Sequence, residues 1–554
     1  MRDGLKFLPQ WTCRVVMEGS GRDPLGLSRV SDALTDFLLP GIVTTTDRAR
    51  YYSFYTWAIS DIAINPTRSR TASFEEEFQR REAAFAVSSR LKPTTTLPVV
   101  GVRRVDEELH AVVAGETLST NFRVLPSNST GGFGQYYGGC LQRLGLLRFD
   151  ENGDWSVSSD LGCKVAEMFA AATRKTPYLS GSWQHRIRVP LDVLEDSAEI
   201  FSLDGLARKE AEPERKLLIQ MFFALDESLP TVSLNQQRTL GQFLHVLTSC
   251  DEVGFSIARR DTDKAIVFWP HYYDCLVSSD EKQAKYQPLT IFAEIHGFWR
   301  QFCAHQFLAF ALEEFFAGVL DTLSPHPEGL IESQVLDELL DDDLFADLKQ
   351  TIGRKCPTPA ALLTAIGVSR IPDSHISDSL TRQFGARASL NEWIICNRAS
   401  GAPATRLGRA ILLLALLYGK WRGREDDDIF RRVGQHAASD LWLGTIFEWV
   451  DAWISDRLDW RAATDRLLTW LLLRHDQVKF QKRKLEASWI ENINGRLTKQ
   501  QDLSPSFRSS RHKNAATILQ DLGLLRHGGL DDALSLTKEG EAVLQRLRKL
   551  GAEL

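Results

Sequence analysis

An eight-residue string occurs twice in this chain, LQRLGLLR at Leu141–Arg148 and LQDLGLLR at Leu519–Arg526, with one position changed, Arg143 against Asp521. The register runs on without a gap: Gly145 to Gly162 is the same interval as Gly523 to Gly540, and Val165 matches Val543. Turn formers lie between these anchors, Glu151-Asn152-Gly153-Asp154 in one copy and His527-Gly528-Gly529 in the other, and Asn-Gly is a strong hairpin signal. Each copy therefore predicts a helix ending at Leu-Gly, with glycine in the left-handed C-cap position. A short strand, a hairpin and a return strand follow (Trp155-Ser156-Val157; Ala533 to Leu536). A new helix then opens at a hydroxyl residue, Ser159 or Thr537.

Helix, hairpin, helix is the winged-helix order, and the string LxxLGLLR … LTKEG resembles bacterial winged-helix regulators from the end of the recognition helix to the start of the next helix. The resemblance implies two winged-helix-like modules with small β-hairpin wings. A DNA-reading helix needs cationic and polar groups toward the groove. Arg508, Arg511, His512, Lys513 and Asn514 precede the second LGLL, and Arg474 to Lys513 holds ten Lys/Arg against four Asp/Glu. That +6 stretch also includes the run Lys482, Arg483, Lys484, with His475 and Lys479 one turn apart before it. The first copy is preceded by GGFGQYYGG and offers Arg143 and Arg148 as cations, which reads as a packing or partner-binding face. The second copy is thus the expected reader of double-stranded DNA.

The rest of the chain reads as mainly α. With 554 residues, 43% hydrophobic and 25% charged, it can bury several cores. Net charge is −6, so any nucleic-acid contact must come from a local basic patch. No apolar run reaches membrane-spanning length, Ala410 to Tyr418 being read as a buried helix, and no signal peptide is seen. Eight cysteines without a CxxC pair imply reduced thiols, and a cytoplasmic chain without membrane contact is expected. The acidic run at 328–348 reads as a solvated helix face, and Lys264 to Tyr272 as a strand or an edge. Five consecutive blocks are expected: an N-terminal helical domain (1–125), the first module (126–180), a central helical domain (181–325), a helical region with acidic and basic segments (326–500) and the second module (501–554).

The densest local feature is Arg22 to Ile59. Val30 to Leu39 reads as a helix stopped by Pro40-Gly41; Thr44 to Asp47 then supply N-cap residues for a second helix, Arg48 to Ile62, with Asp47 as the cap. Its aromatics cover more than one face, so it is expected to be buried nearly all round. Arg48 and Arg50 sit in its first turn, where the helix dipole disfavours cations. Something must reward them: an acidic neighbour, with Asp32 and Asp36 as candidates, or an anion bound by Thr45, Thr46, Arg48 and Arg50. The pattern LLPG…TTTDRARYY…W resembles an uncharacterised bacterial family encoded beside helicases, ATPases and restriction-type genes in phage-defence clusters. That resemblance implies a context, defence against foreign DNA, and no chemistry.

Motifs that catalysis would require are missing. There is no Walker A, HExxH, GxSxG, deaminase pattern or EF-hand loop. His296 and His305 share one helical stretch nine residues apart, too far to ligate one metal unaided, and read as core groups. Asp204 with Glu214 and Lys216 is the one nuclease-like arrangement, carboxylates for Mg²⁺ and a lysine for the attacking water, yet it sits in a charged helix start. No catalytic residue, metal or cofactor is assigned. The expected function is a non-catalytic DNA-binding or scaffold subunit of a multi-component bacterial anti-phage system, partnered by subunits such as a helicase or ATPase. The alternatives are a metal-dependent nuclease or other effector, and a structural adaptor whose winged helices contact protein.

Overall fold

The computed structural model describes residues 23–64, 73–93, 98–112, 116–149, 155–158, 160–225, 234–368, 376–398, 403–437, 441–482, 488–526, 528 and 531–552. Helices dominate, and among the described residues the strands form four two-stranded antiparallel sheets. The chain folds as two units, each built from two stretches: Met1–Asp32 with Ala304–Arg508, and Ala33–Cys303 with Ser509–Leu554. This differs from the five consecutive blocks expected, because packing joins segments hundreds of residues apart. Both repeats belong to the second unit.

The first unit is organised on helix Pro403–Trp421, buried along nearly its whole length as the AILLLALLY run predicts. Its buried charges are paired: Glu314 with Arg406 and Arg409, and Lys420 with Glu392 at 2.7 Å. The acidic run lies on helices Glu332–Leu339 and Asp342–Ile352, with Asp341 capping the second and most of the carboxylates exposed. Helix Ala293–Leu323 is apolar enough to cross a membrane by composition, and its most apolar stretch is buried inside the protein.

In the second unit the helix Arg50–Ile64 is buried from Arg50 to Ile59, as its all-round aromatics predict. Phe54 stacks on Phe85 at 3.9 Å, and Phe169, Phe201 and Trp57 complete that aromatic core. Phe85 comes from helix Phe74–Leu91, which opens with a Ser73/Glu76 capping box. The Lys264–Tyr272 stretch is helical, a π-helical turn Asp263–Phe268 continuing into Trp269–Tyr273, and not the expected strand. A short apolar run buried on every side carries no period that separates strand from helix.

The two repeat helices end with the same backbone geometry. The first-repeat helix, a π-helical turn Phe133–Tyr137 running into Gly138–Arg143, ends at Gly145 with φ +67°; the second, His512–Asp521, ends at Gly523 with φ +73°. In each, the glycine N–H donates three residues back (Gln142, Gln520) and the following leucine N–H five residues back (Leu141, Leu519), all at 2.9 Å. This is the Schellman pattern, which needs a left-handed residue and so favours glycine. A Cβ on Gly162 would lie 2.2 Å from the Leu146 carbonyl oxygen, and one on Gly540 2.3 Å from that of Leu524.

The return strands correct the gapless register. Ser158 N–H donates to Leu146 O and Thr537 N–H to Leu524 O, so the second return strand pairs one residue later. Accordingly Leu147 faces Val157, while Leu525 bridges Leu536. The first hairpin is a true strand pair, Leu147–Phe149 with Trp155–Val157; the second is reduced to that bridge. Thr537 caps the following helix through Gly540 N–H at 3.1 Å, as expected, and Ser158 does so through Gly162 N–H at 2.9 Å. Ser159 and both sets of turn formers, apart from Gly528, lie outside the described residues.

Candidate functional site

The TTTDRARYY segment lies where the two repeat helices converge. Asp521, the last residue of the second-repeat helix, accepts from Arg48 Nε and from Ala49 N–H, each at 2.9 Å. Arg48 also pairs with Asp204 at 2.8 Å, and its N–H donates to Tyr137 Oη of the first-repeat helix at 3.4 Å. Twelve residues earlier, Asp36 pairs with Arg143 of the first repeat at 3.2 Å and with Arg511 before the second at 2.6 Å. Arg511 further donates to Ile42 O, and Asn514 to Thr44 O. The one mismatch between the octapeptides is thereby explained. Arg143 takes the acidic end of the 36–48 segment, and Asp521 its basic end.

This geometry corrects the expected helix start. The helix begins at Arg50, not Arg48, and the carboxylate at its N-terminus is Asp521 rather than Asp47. One carboxylate there satisfies an orphan amide, complements the dipole and neutralises Arg48. Asp47 is half-buried and is pushed up to about 6 by burial, with Arg48 opposing. Arg50 is fully buried and bidentate to Glu214 at 3.0–3.2 Å, and it donates to the carbonyls of Ile200 and Ser202. The arginines are thus rewarded by distant carboxylates, not by Asp32 or Asp36.

The expected anion site is corrected on the same grounds. Arg48 and Arg50 already face carboxylates, Thr46 is buried with its Oγ accepting from Val43 N–H at 2.8 Å, and Thr45 is exposed apart from them. The nuclease-like trio does not converge: Asp204 holds Arg48, Glu214 holds Arg50 and Ser53, and Lys216 is at the surface with Glu212 at 2.7 Å. A cleft of about 380 Å³ lined by Lys92, Asp196, Glu199, Ser202, Asp204 and Arg208 opens beside that trio's aspartate. Its cations are balanced by carboxylates, Arg208 by Glu199 and Lys92 by Glu195.

Of the expected DNA-reading residues, Arg511 and His512 are buried and Arg508 is half-buried. Arg508 pairs with Glu313 and, at 3.6 Å, with Asp23; burial pushes Glu313 up to about 7 despite that arginine. Arg511 is buried on Asp36, and His512 is buried with its ring 4.6 Å from that of Trp299. Lys513 is half-exposed and pairs with Asp263 at 3.2 Å. From Ala515 to Asp521 the helix is buried. The Lys482 side chain, Arg483 and Lys484 lie outside the described residues. His475 is buried, accepting from Trp489 N–H at 3.2 Å and meeting Pro24 O.

Sequence reading missed Glu82, a buried acid. Glu82 accepts from Tyr55 Oη at 2.8 Å and from Gly132 N–H at 2.9 Å at the start of the first-repeat helix. Burial pushes it up to about 7 against those donors. The GG pair ahead of the helix was the available signal, since a Cβ on Gly131 would overlap the Glu82 carboxylate. His296, read as a core group, is buried between Asp274 (2.9 Å) and His271 (3.1 Å), and burial lowers its pKa. Among the described residues no three His, Cys, Asp or Glu side chains are placed to hold a metal.

Compared with protein-family models, curated proteins and solved structures, the chain matches none.

Proposed function

We propose that this chain is a non-catalytic scaffold subunit built on two winged-helix-like modules, one committed to the chain's own architecture and one offered to a partner. The helix, glycine turn, hairpin, helix order of both repeats supports the module reading. The observation that carries the proposal is a contrast at equivalent positions. Thr517 and Gln520 of the second helix are buried, whereas Gly139 and Gln142 of the first are exposed. The two carboxylates a nuclease would need, Asp204 and Glu214, are held by Arg48 and Arg50, which favours binding over catalysis. The setting we propose, a multi-component bacterial anti-phage system with a helicase or ATPase among its subunits, rests on the TTTDRARYY resemblance.

In this reading protein is the first partner and duplex DNA is not read by the second module, whose Arg508, Arg511 and Lys513 already face carboxylates. The test is co-expression with the proteins encoded by neighbouring genes. A stoichiometric complex that survives Lys513→Glu and carries no Mg²⁺-dependent DNA cleavage is expected. Plasmid nicking by the purified protein, or steeply salt-dependent duplex binding abolished by Lys513→Glu, would contradict it.

A further inference from the structure

One arginine of the second unit is buried without a counter-ion. Arg80, on the helix Phe74–Leu91, is 7% exposed, and among the described residues no ion pair or hydrogen bond involves it. Its neighbour Arg81, fully buried, is matched instead, to Asp61 at 2.7 Å and to Glu77 at 3.4 Å. Arg48, Arg50 and Arg511, buried like it, each meet a carboxylate as well. A guanidinium stays charged at any working pH, so it cannot answer burial by giving up its proton as a lysine can. A buried charge without a partner is strongly destabilising. Arg80 therefore needs an anion that the described chain does not supply.

The groups around Arg80 are short of partners too. The charges of Arg80 and Arg81 bear on Tyr178 and His185, which places their helix against the segment Pro177–His185. On that segment Tyr178 is fully buried with no hydrogen-bond partner for its hydroxyl, and the buried atoms Gln184 Oε1 and His185 Nδ1 lack one as well. Native proteins leave few such atoms, and each asks for an explanation. These side chains have one chemistry in common. A guanidinium and a phenol donate, an imidazole nitrogen donates when it carries the proton, and an amide donates when turned end for end. Asp61 and Glu77, the acids whose charges also bear on His185, are already held by Arg81. A set of donors of this kind fits a ligand made of acceptor oxygens.

The flanking chain adds charge of one sign. Between Glu167 and Asp192 lie Arg174, Lys175, Arg186 and Arg188 and no acidic residue. All four cations are exposed, and among the described residues none forms an ion pair, with Glu167 and Asp192 or with any other acid. Arg186 lies over the Trp183 ring at 5.1 Å. Unneutralised cations around a buried guanidinium fork favour a doubly charged oxyanion over a carboxylate.

We propose that Arg80, Tyr178 and His185 form a binding site for a phosphate group, with Gln184 as a further donor. The guanidinium fork takes two oxygens, and Tyr178 and His185 take the others. The site is independent of the scaffold reading and of whatever binds either repeat. The test titrates inorganic phosphate and adenosine monophosphate separately into the full-length protein by calorimetry at fixed ionic strength. Binding weakened at least tenfold by Arg80→Met is expected, with a smaller loss in Tyr178→Phe. Phosphate bound as tightly as the nucleotide, or more tightly, assigns the free anion; a tighter nucleotide assigns a phosphate ester. In chloride alone Arg80→Met should raise the urea midpoint, because an apolar side chain replaces an unpaired charge, and it should gain less from phosphate than the wild type does. A wild type that binds neither probe would overturn the proposal. So would an Arg80→Met protein that binds them unchanged, or that unfolds at lower urea in chloride, which would mark Arg80 as a structural group.

Discussion

Gly145 and Gly523 end their helices with the same pair of hydrogen bonds, and the two helices then part company. The helix before Gly523 is buried from Ala515 to Asp521, covered by Arg48, Ala49 and the Ile257–Asp263 segment. The helix before Gly145 keeps Gln135, Gly139, Gln142 and Arg143 at the surface. Local sequence sets how a helix ends, because capping involves neighbours a few residues apart. What covers the helix is set by residues hundreds of positions away. Near-identity in the octapeptide therefore says little about shared use.

The largest test of that contrast is at the one mismatched position. Asp521→Ala leaves Arg48 without its main partner in the interior, and should cost about 3–5 kcal/mol. Arg143→Ala breaks a pair whose members are 44% and 39% exposed, and should cost less than about 1 kcal/mol. Urea denaturation of both variants measures the difference, and equal losses would break the comparison.

A second test uses Glu82, which caps only the first helix. Its folded pKa of about 7 stands above the unfolded value near 4.5, so the folded state binds the extra proton. Its contribution is fully present below pH 4.5 and is lost as pH rises through 7. At about 1.4 kcal/mol per unit the loss is on the order of 3 kcal/mol. Glu82→Gln should flatten the fall in unfolding free energy between pH 5 and 8 by that order. An unchanged pH profile would show that the carboxyl ionises freely in the fold.

What the repeats share should respond alike. Gly162→Ala and Gly540→Ala each push a methyl onto a leucine carbonyl, and each should cost about 1–3 kcal/mol. A large cost in one copy only would mean that the glycines are not equivalent. The smallest effect has the opposite sign: Gly139→Ala should stabilise the protein by about 0.5–1 kcal/mol, seen as a raised Tm. Destabilisation there would reveal packing over the first helix.

These contrasts mark what was legible in the sequence. The C-cap glycines, the Thr537 cap, the first hairpin and the buried Arg50–Ile64 helix could be read because each follows from local spacing or an all-round apolar pattern. The acids behind Arg48 and Arg50 could not, since Asp521 and Glu214 lie 473 and 164 residues away from them. The partners of Arg508 and Arg511 were hidden for the same reason. Counting charge along the chain found Arg508 and Arg511, but Glu313 and Asp36, which neutralise them, come from elsewhere in the sequence. The mismatch between the two octapeptides was the visible clue: a charge reversal inside an otherwise kept motif marks a change of partner.

The central claim is that equivalent faces of the two repeat helices differ in access. Thiol labelling of Gln142→Cys and Gln520→Cys in the native protein measures that access directly, against a wild-type background whose described cysteines are mostly buried. The account predicts fast labelling at position 142, and labelling at 520 only as fast as the protein unfolds. Comparable rates at the two positions in the folded protein would contradict it.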